Sequence, residues 1–263
     1  MARNSLKNIM NLIDEAKQEQ PIEQTFLNDL KRSIEMTATK NKRPGSKTYK
    51  PSGMNCIRAS YYTITGAESD PYESSYVLEG ICNAGSDIHV RIQNAVIDMI
   101  NNGMDCEWIN VDEFVESRGL TDLEIVSHTD TETKLFNHRY NMSFMCDGIV
   151  RYKNRYYILE FKTEASFKWQ NRKDVDPKHY HQATAYSLSF GIDDVIFIYI
   201  TRDMLDMKSF MLKVTPEMKR ELKNYIEVCN KHITENIVPP KPDNASPKFC
   251  QYCVYRTQCR KDG

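Results

Sequence analysis

The chain has 263 residues, of which 40% are hydrophobic and 27% are charged, and its 35 basic and 36 acidic residues give a formal net charge of -1. This composition is that of an ordinary globular protein, and the near-zero charge excludes a globally basic nucleic-acid coat protein. No apolar run is long enough for a secretory signal or a membrane span. We therefore expect a soluble, cytoplasmic protein without a membrane partner.

The first predicted elements are two short amphipathic helices within an N-terminal helical segment, residues 1–45. Apolar residues recur at helical spacing from Leu6 to Ile13, and a second stripe of the same kind runs from Phe26 to Ile34.

A basic loop follows at residues 40–53, because this stretch is rich in Lys, Arg, Gly and Pro. The letters GSKT within it resemble part of a phosphate-binding loop, but that motif requires Gly directly before the Lys, where Ser46 stands here. The second glycine and the preceding strand are also missing. We therefore reject a nucleoside triphosphatase.

The middle of the chain predicts one long helix and then a series of strands. Apolar residues recur every three or four positions from about Tyr76 to Asn101, and His89 lies on this helix. Strands are predicted near residues 111–116, 123–128 and 133–150, followed by the tight connection KNR and the strand-prone run YYILEF.

The last third predicts a helix from about Lys178 to Phe190, two strands, VIFIYIT and MKSFMLKV, and a helix from Glu217 to Asn236 that the run PPKP terminates. The order of the elements predicts one α/β core, residues 46–240, in which helices flank a mixed central sheet. A cysteine-containing tail, residues 241–263, completes the chain.

Two acids and a lysine lie in and beside one predicted hairpin. Glu160 and Lys162 share a strand face, and antiparallel pairing can bring Asp147 to the same surface, although the sequence does not set the register. Carboxylates bind Mg²⁺ or Mn²⁺, and a lysine can orient water, so the group suits phosphodiester hydrolysis. The same residues also fit a surface hairpin with weak cross-strand pairs.

Four motifs occur in the order GSDIH, CDG, EFK and QATAY, and with them the chain resembles the RecB-like branch of the PD-(D/E)xK nucleases. The resemblance implies that His89, Asp147, Glu160 and the main-chain carbonyl of Phe161 hold a divalent metal. It also implies that Lys162 assists the attacking water. A lone histidine on a helix is otherwise more often structural.

The resemblance further implies that Gln182 and Tyr186 face the active site. They stand four apart in a predicted helix, so they share one face and can orient Lys162 or touch a DNA backbone. Such a pair is otherwise an ordinary helix flank. Some relatives carry an acid one turn after the motif histidine, where this chain has Gln93, and this departure leaves the number of metals open.

The terminal cysteines form C-x2-C-x5-C at Cys250, Cys253 and Cys259, and no histidine follows at the spacing of a zinc finger. Cys56 is the natural fourth ligand. This pattern is similar to that of the iron-sulfur RecB-like nucleases, including the CRISPR-associated exonuclease family, which implies a [4Fe-4S] cluster on the four thiolates. Zinc is the alternative, because four thiolates suit either metal. Such a link would constrain most of the chain, worth about 5 kcal/mol.

Basic and aromatic side chains are candidates for DNA contacts. Phosphates could be held by the basic loop with Arg43, Lys47 and Lys50 and by a later segment with Lys168, Arg172, Lys173 and Lys178, and bases could stack on Trp169 or Tyr180. A solvated charged surface is equally compatible with the two basic segments.

Taken together, the motifs predict a restriction-endonuclease-like α/β fold and a metal-dependent DNA exonuclease. The resemblance to iron-sulfur relatives implies single-stranded DNA as the substrate, degraded from a 5′ end. Because the chain has no helicase motor, a helicase or recombination partner would have to supply any unwinding. Two alternatives are a non-catalytic DNA-binding or assembly subunit of a recombination or CRISPR complex, and an endonuclease. The sequence does not indicate the oligomeric state.

Overall fold

The structure is a computed structural model that describes residues 21–40, 45–71, 75–129, 132–242 and 250–263. The predicted helix from Leu6 to Ile13 and the basic residue Arg43 lie outside these residues. Contacts divide the chain into two compact units. The described part of the smaller unit is residues 21–40 and 75–80, and the larger unit is described from residue 45 to 71 and from residue 81 onward.

In the described part of the smaller unit, residues 22–40 form a helix, which confirms the prediction from the second apolar stripe. No residue of this helix is buried. The Glu35 carboxylate accepts a hydrogen bond from the main-chain nitrogen of Tyr76 at 3.1 Å, and the Lys31 ammonium lies 4.9 Å from the centre of the Tyr76 ring. These contacts join the helix to the start of the next one.

Helices come before, between and after the strands of the described residues. The helices are α1 Ile22–Lys40, α2 Ile57–Thr65, α3 Tyr76–Ile97, α4 Val111–Ser117, α5 Ser166–Gln170, α6 Tyr180–Phe190, α7 Pro216–Glu235 and α8 Arg256–Lys261. The strands are β1 Cys106–Ile109, β2 Leu123–His128, β3 Thr133–Asn137, β4 Met142–Cys146, β5 Gly148–Tyr152, β6 Arg155–Glu164, β7 Asp194–Thr201 and β8 Met207–Lys213.

The larger unit contains a mixed five-stranded sheet with the order β1-β5-β6-β7-β8 and an antiparallel three-stranded sheet with the order β2-β3-β4. Only the β6–β7 pair of the larger sheet is parallel. The predicted α/β class, with a restriction-endonuclease-like mixed sheet flanked by helices, is confirmed. None of the described helices is long and apolar enough to cross a bilayer.

Strand β6 is the centre of the larger sheet, and its residues 157–161 are all buried. One face packs against α3, where Ile88 and Phe161 belong to one apolar cluster. The other face contributes Ile158 to a second cluster that includes residues of α6 and α7. A strand covered on both faces reads as a nearly continuous apolar run, which explains why a charged Glu160 stands out within YYILEF.

The strand predicted near residues 111–116 is wrong, because these residues form helix α4. The Asn110 side chain accepts hydrogen bonds from the main-chain nitrogens of Asp112 and Glu113 at 2.9 and 3.2 Å, and this cap starts the helix. The valines of this stretch therefore occupy a helix, and the edge strand β1 lies just before it. Strand residues 123–128 are confirmed, whereas the predicted stretch 133–150 divides into β3, β4 and β5.

The connection KNR is a two-residue hairpin turn. Tyr152 pairs with Arg155, and the intervening Lys153 and Asn154 have φ values of 47° and 65°. Positive φ at both central residues suits the right-handed twist of the flanking strands. This turn sets the register of β5 against β6, which determines which residue faces Glu160.

Candidate functional site

Asp147 is the single residue between β4 and β5, at the point where the chain passes from the small sheet to the large one. In the β5–β6 register Gly148 pairs with Leu159, so Asp147 falls opposite Glu160. The Asp147 Oδ2 atom accepts a 2.7 Å hydrogen bond from the main-chain nitrogen of Phe161. The hairpin therefore brings the two acids together, as the sequence allowed but did not require.

The glycine of the CDG motif makes this strand junction possible. A Cβ atom at Gly148 would lie 2.2 Å from the Trp108 ring, so a larger residue cannot be accommodated without a shift of the indole. Gly85 of the GSDIH motif has a milder version of the same role, because its Cβ would lie 3.2 Å from the Thr163 hydroxyl. Both glycines allow close packing against the sheet that carries the acids.

A histidine and two acids form a group that can hold a metal. Ligand atoms of His89, Glu132 and Asp147 all lie within 4.8 Å of one another, and His89 Nδ1 is 3.9 Å from Asp147 Oδ1. The His89 ring also packs edge-on against the Phe161 ring at a centroid distance of 5.9 Å.

Glu132 was not identified from the sequence. It directly precedes β3, and because Thr133 pairs with Cys146 in the β3–β4 ladder, Glu132 falls opposite Asp147. In the sequence it lies in the polar run HTDTETK, where nothing distinguishes it from other acids. The proximity of Glu132 to Asp147 follows only from the register of the β3–β4 hairpin. The sequence pattern does not show that residues 133–150 divide into separate strands.

Glu160 and Lys162 lie inside the protein, which excludes the exposed surface hairpin considered as an alternative. The Glu160 residue is 2% exposed, and its Oε1 accepts hydrogen bonds from Lys162 Nζ at 2.5 Å and from Gln182 Nε2 at 2.8 Å. Lys162 Nζ also donates to Gln182 Oε1 at 3.2 Å. The carboxylate, ammonium and amide thus hold one another in place.

Tyr186 anchors this network one helical turn further along α6. Its hydroxyl accepts a 2.7 Å hydrogen bond from Gln182 Nε2 and donates to the main-chain carbonyl of Met145 at 2.5 Å. Gln182 and Tyr186 are therefore on the helix face that meets the acids. Through Gln182 they hold the side chains of Lys162 and Glu160 in place. The alternative of an ordinary helix flank therefore does not apply to them.

One atom of this network is conspicuous because it has no partner. Glu160 Oε2 is the one buried side-chain oxygen or nitrogen without a hydrogen-bond partner among the described residues. A buried carboxylate oxygen without a donor is costly. A cation would satisfy it, and the nearby carboxylate oxygens and imidazole nitrogen are ligands that Mg²⁺ or Mn²⁺ accepts. The residues present therefore fit a divalent metal.

The pKa shifts of the acids and of His89 also fit a site that binds a cation. Burial, reinforced by the charge of Glu160, raises the pKa of Asp147 well above its usual range, and burial also raises the pKa of Glu132. Burial and the Lys162 charge lower the pKa of His89 to about 4, so its imidazole is neutral and able to bind metal at pH 7. A bound cation would stabilise the ionised acids.

Lys162 carries the positive charge of the group. Burial favours the neutral amine, but the charge of Glu160, the hydrogen bond to it and the charge of Asp147 together outweigh this effect, so the pKa of Lys162 is raised. Lys162 is therefore an ammonium that can donate hydrogen bonds and offset negative charge, and it is not a general base at neutral pH.

Gln93 occupies the position where some relatives of the resembled family carry an acid. Its Nε2 donates a 2.7 Å hydrogen bond to the main-chain carbonyl of Asp147, and the residue is 4% exposed. Gln93 thus fixes the backbone that presents Asp147. Glu132, from a different element, brings a carboxylate into the group.

The four cysteines proposed as ligands lie near one another although Cys56 is far from the others in sequence. Burial raises the pKa of the Cys253 thiol, and the charges of Cys56, Cys259 and Cys250 raise it further, so the four side chains share one region of the protein. All four are partly buried. Among the described residues, no three of these sulfurs lie within 4.8 Å of one another.

A buried cation lies beside this group. Arg58 is 4% exposed, and its guanidinium donates to the main-chain carbonyls of Pro239 at 2.7 Å, Cys259 at 3.2 Å and Gly263 at 3.2 Å. Its Nη1 atom also lies 3.5 Å from Cys259 Sγ. Negatively charged thiolates would compensate this guanidinium, so the donor set matches a metal bound by cysteines.

Several predicted DNA-contact residues are already engaged within the protein. Arg172 forms hydrogen bonds to Glu164 through two nitrogens, and its side chain is 7% exposed. The Trp169 indole donates to the main-chain carbonyl of Tyr199, and the Lys208 ammonium lies 4.1 Å from the centre of its ring. These contacts stabilise the segment after β6, and neither Arg172 nor the covered face of Trp169 is open to a nucleic acid.

Comparisons with known proteins give only distant similarities. No protein-family profile matches the sequence. No curated protein matches it either.

Similar folds occur among solved structures. A structure described as that of SSO0001 has 13% sequence identity and a TM-score of 0.43, with 92% of this chain and 98% of that chain covered. The alkaline exonuclease LHK-Exo from Laribacter hongkongensis has 8% identity and a TM-score of 0.37, with 73% and 90% covered. LHK-Exo in complex with dAMP has 10% identity and a TM-score of 0.42, with 72% and 89% covered. Because these similarities are distant, function is inferred from the residues of the site.

Proposed function

We propose that the chain is a metal-dependent DNA exonuclease that hydrolyses phosphodiester bonds in single strands from a 5′ end. The observation that carries the proposal is the buried Glu160 Oε2 atom, which has no hydrogen-bond partner among the described residues. The other oxygen of the same carboxylate accepts a hydrogen bond from the Lys162 ammonium. Buried acids that lack a partner indicate a missing cation, and acids with a metal and a lysine suit phosphodiester hydrolysis. The strand and end preferences rest on the motif resemblance alone.

The metal ligands in this proposal are His89, Asp147, Glu160 and the main-chain carbonyl of Phe161, and Glu132 is added to them on the basis of its position. Mg²⁺ or Mn²⁺ bound there would polarise the phosphoryl oxygens and lower the pKa of a bound water. Without a cation this group is energetically unfavourable, because the carboxylates of Glu132, Asp147 and Glu160 lie near a single ammonium, that of Lys162.

The protein residues then orient the reactants. Lys162, held by Glu160 and Gln182, donates hydrogen bonds to the attacking water or to the developing phosphorane oxygens. Tyr186 fixes Gln182, and Gln182 in turn limits the positions that Lys162 Nζ can adopt. Such preorganisation lowers the barrier because the donors do not have to reorient during the reaction.

The four-cysteine group is proposed to hold a [4Fe-4S] cluster through Cys56, Cys250, Cys253 and Cys259, with zinc as the alternative. Their proximity and the neighbouring Arg58 support a negatively charged metal-thiolate group. Its role would be structural, because it would join the start of α2 to the C-terminal tail. The electronic absorption spectrum of the purified protein distinguishes iron-sulfur from zinc.

A time course on linear single-stranded DNA labelled at either end, with Mn²⁺, Mg²⁺ or EDTA, tests the proposed activity. We expect wild type to release short products only with metal, and Lys162→Ala to lose at least about 100-fold in rate, the typical effect of removing one stabilising donor. The order in which the two labels are lost gives the polarity. Closed circular single strands, cut as fast as linear ones, would instead indicate an endonuclease.

Equal inactivity of wild type and Lys162→Ala on all ends and metals, with DNA binding retained, would make the non-catalytic subunit the better description. The site geometry argues against that alternative, because a subunit without chemistry gains nothing from a buried carboxylate without a donor.

A further inference from the structure

A cavity away from the acids contains features that the proposed reaction does not use. It has a volume of about 660 Å³ and lies between the start of α2, the segment before α6 and the C-terminal tail. Its walls include Thr48, Lys50, Ser60, Lys178, Tyr252 and Tyr255. The volume is that of a small-molecule site, and cavities of this kind hold ligands through a few polar groups on apolar walls.

The charge of the cavity has one sign. Two lysines contribute to the lining, and no described lining residue is acidic. Among the described residues, no carboxylate oxygen lies within 4.0 Å of the Lys50 ammonium. A half-open cavity whose walls carry two cations and no acidic residue attracts a negatively charged ligand.

Lys178 is the less well compensated of the cations in its own ion network. Its ammonium lies 3.7 Å from Asp176 Oδ2, but the same oxygen is also 3.2 Å from Lys168 and 3.4 Å from Arg172. The second acid of the network, Glu164, pairs with Lys168 and Arg172. Three cations thus share two acids, and the surplus charge is on the residue that lines the cavity.

Tyr252 supplies an aromatic surface at the same cavity. It is 80% exposed, although it lies only one residue from Cys253 of the thiol group. Tyr255, also in the wall, is instead partly buried, with its ring centroid 5.5 Å from that of Tyr62. Exposed tyrosines of this kind provide stacking surfaces for unpaired bases.

The cavity is close to the site along the chain. Lys178 stands four residues before Gln182, which corresponds to about 6–8 Å along a helical axis. The intervening His179 is near enough for the Lys162 charge to help lower its pKa to about 3. Lys178 therefore stands in the cavity wall one helical turn before Gln182, which contacts Lys162.

We propose that this cavity binds one unpaired nucleotide of a DNA strand, with the phosphate between Lys50 and Lys178 and the base against Tyr252. The proposal rests on the proposed function, since it takes the DNA substrate of that function as its ligand. A single strand fits better than a duplex, because a base can stack on an exposed ring only when it is free of its partner.

Binding of a fluorescein-labelled oligo-dT to the full-length, metal-loaded protein tests the proposal, in a Lys162→Ala background so that the DNA stays intact. We expect Tyr252→Leu to weaken binding about tenfold and Tyr252→Phe to bind like the parent within about twofold. The double variant Lys50→Gln with Lys178→Gln should lower the slope of log K against log salt by about 0.7, the value for one phosphate of a single strand. Lys153→Gln, in the exposed hairpin turn of β5 and β6, is the matched control and should leave both quantities unchanged.

Unchanged affinity and salt slope in the Tyr252→Leu and double-lysine variants would overturn the proposal, even if wild type degrades DNA. Weakened binding in these variants, with wild type inactive on all substrates, would support the cavity and contradict the nuclease assignment, so the two failures are distinguishable. An unchanged thermal midpoint and absorption spectrum of each variant show that folding and the thiol group are intact. Competition by double-stranded oligonucleotide at equal concentration would also contradict the proposal.

Discussion

At the scale of single residues, the main result is that Glu132 joins His89 and Asp147. Two carboxylates and an imidazole within 4.8 Å of one another are a poor arrangement for a protein without a cation. The raised pKa values of Asp147 and Glu132 express this cost. The Glu132 carboxylate is therefore expected to favour metal binding and to lower the stability of the metal-free protein.

We expect Glu132→Gln to weaken Mn²⁺ binding by about tenfold or more, because it removes an anionic ligand. Without metal, the same change should raise the thermal midpoint slightly, because it removes a carboxylate beside Asp147. Calorimetric Mn²⁺ titration and thermal unfolding in EDTA measure the two effects. Glu113→Gln, an exposed acid on α4, is the control and should change neither. Unchanged Mn²⁺ affinity in Glu132→Gln would exclude Glu132 as a ligand.

The pH dependence of the metal-free protein follows from the same two acids. A folded-state pKa above the unfolded value means that the folded state binds the proton more tightly, so the stability that these two acids contribute is fully present below the unfolded pKa and is lost as pH rises through the folded pKa. We expect the midpoint of Glu132→Gln to depend less on pH above the usual carboxyl range than that of wild type. Parallel curves for the two proteins would contradict this origin.

Gly148 is required by sterics and not by chemistry. Because a Cβ there would lie 2.2 Å from the Trp108 ring, we expect Gly148→Ala to lower the free energy of unfolding by about 1–3 kcal/mol. Chemical denaturation measures this change. Gly80→Ala, where a new Cβ would meet no atom within 4 Å, should not destabilise the protein. A second substitution, Trp108→Leu, should restore part of the loss.

At the scale of secondary-structure elements, the start of α2 connects to the C-terminal tail through Arg58. Its guanidinium satisfies three main-chain carbonyls and lies beside Cys259 Sγ. In the sequence this arginine stands two residues after Cys56, and nothing nearby explains why a charged residue occupies this position. The contacts supply that reason, because they link two segments separated by most of the chain.

We expect Arg58→Met to lower the free energy of unfolding by about 1–3 kcal/mol, since the buried carbonyl of Pro239 loses its donor and the more exposed ones of Cys259 and Gly263 lose theirs at a smaller cost. The metal-thiolate group should also be lost faster on exposure to a chelator, which its absorption reports. Arg58→Lys should recover part of both quantities. A stable Arg58→Met protein with an unchanged rate of metal loss would show that the guanidinium does not support the tail.

The element order illustrates how far local pattern leads. Helix α3 and strands β6, β7 and β8 were predicted because their periodicities are strong and local. Helix α4 was mistaken for a strand because a seven-residue element leaves too short a pattern, and the Asn110 cap decides the conformation. The three strands within residues 133–150 were merged for the same reason, and with them the position of Glu132 was lost.

At the scale of the whole molecule, the acids and the cysteines form two separate groups with different expected roles. The acids lie where the two sheets meet, and the cysteines lie at the start of α2 and in the C-terminal tail. Loss of a structural link should prevent folding, whereas loss of an acid should reduce activity without loss of soluble protein.

We expect Cys253→Ala to lose the metal-dependent absorption and most of the soluble protein, because the link constrains a long loop. Glu160→Ala should keep both and lose nuclease activity, since it removes a ligand from a group that is strained without metal. Expression yield, iron and zinc content and absorption measure these effects. A soluble, iron-replete Cys253→Ala protein would show that the link is assigned to the wrong residues.

The motifs and periodicities of the chain account for the α/β order, the hairpin acids, the Gln182–Tyr186 pair and the cysteine series, because each depends on neighbours a few residues apart. The proximity of Glu132 to Asp147 depends instead on strand register, and the cavity lined by Lys50, Lys178 and Tyr252 depends on contacts between distant segments. A shift of one residue in register would turn every side chain of a strand to the opposite face. Local pattern does not encode that choice, so it becomes visible only when the sheets and helices are packed together.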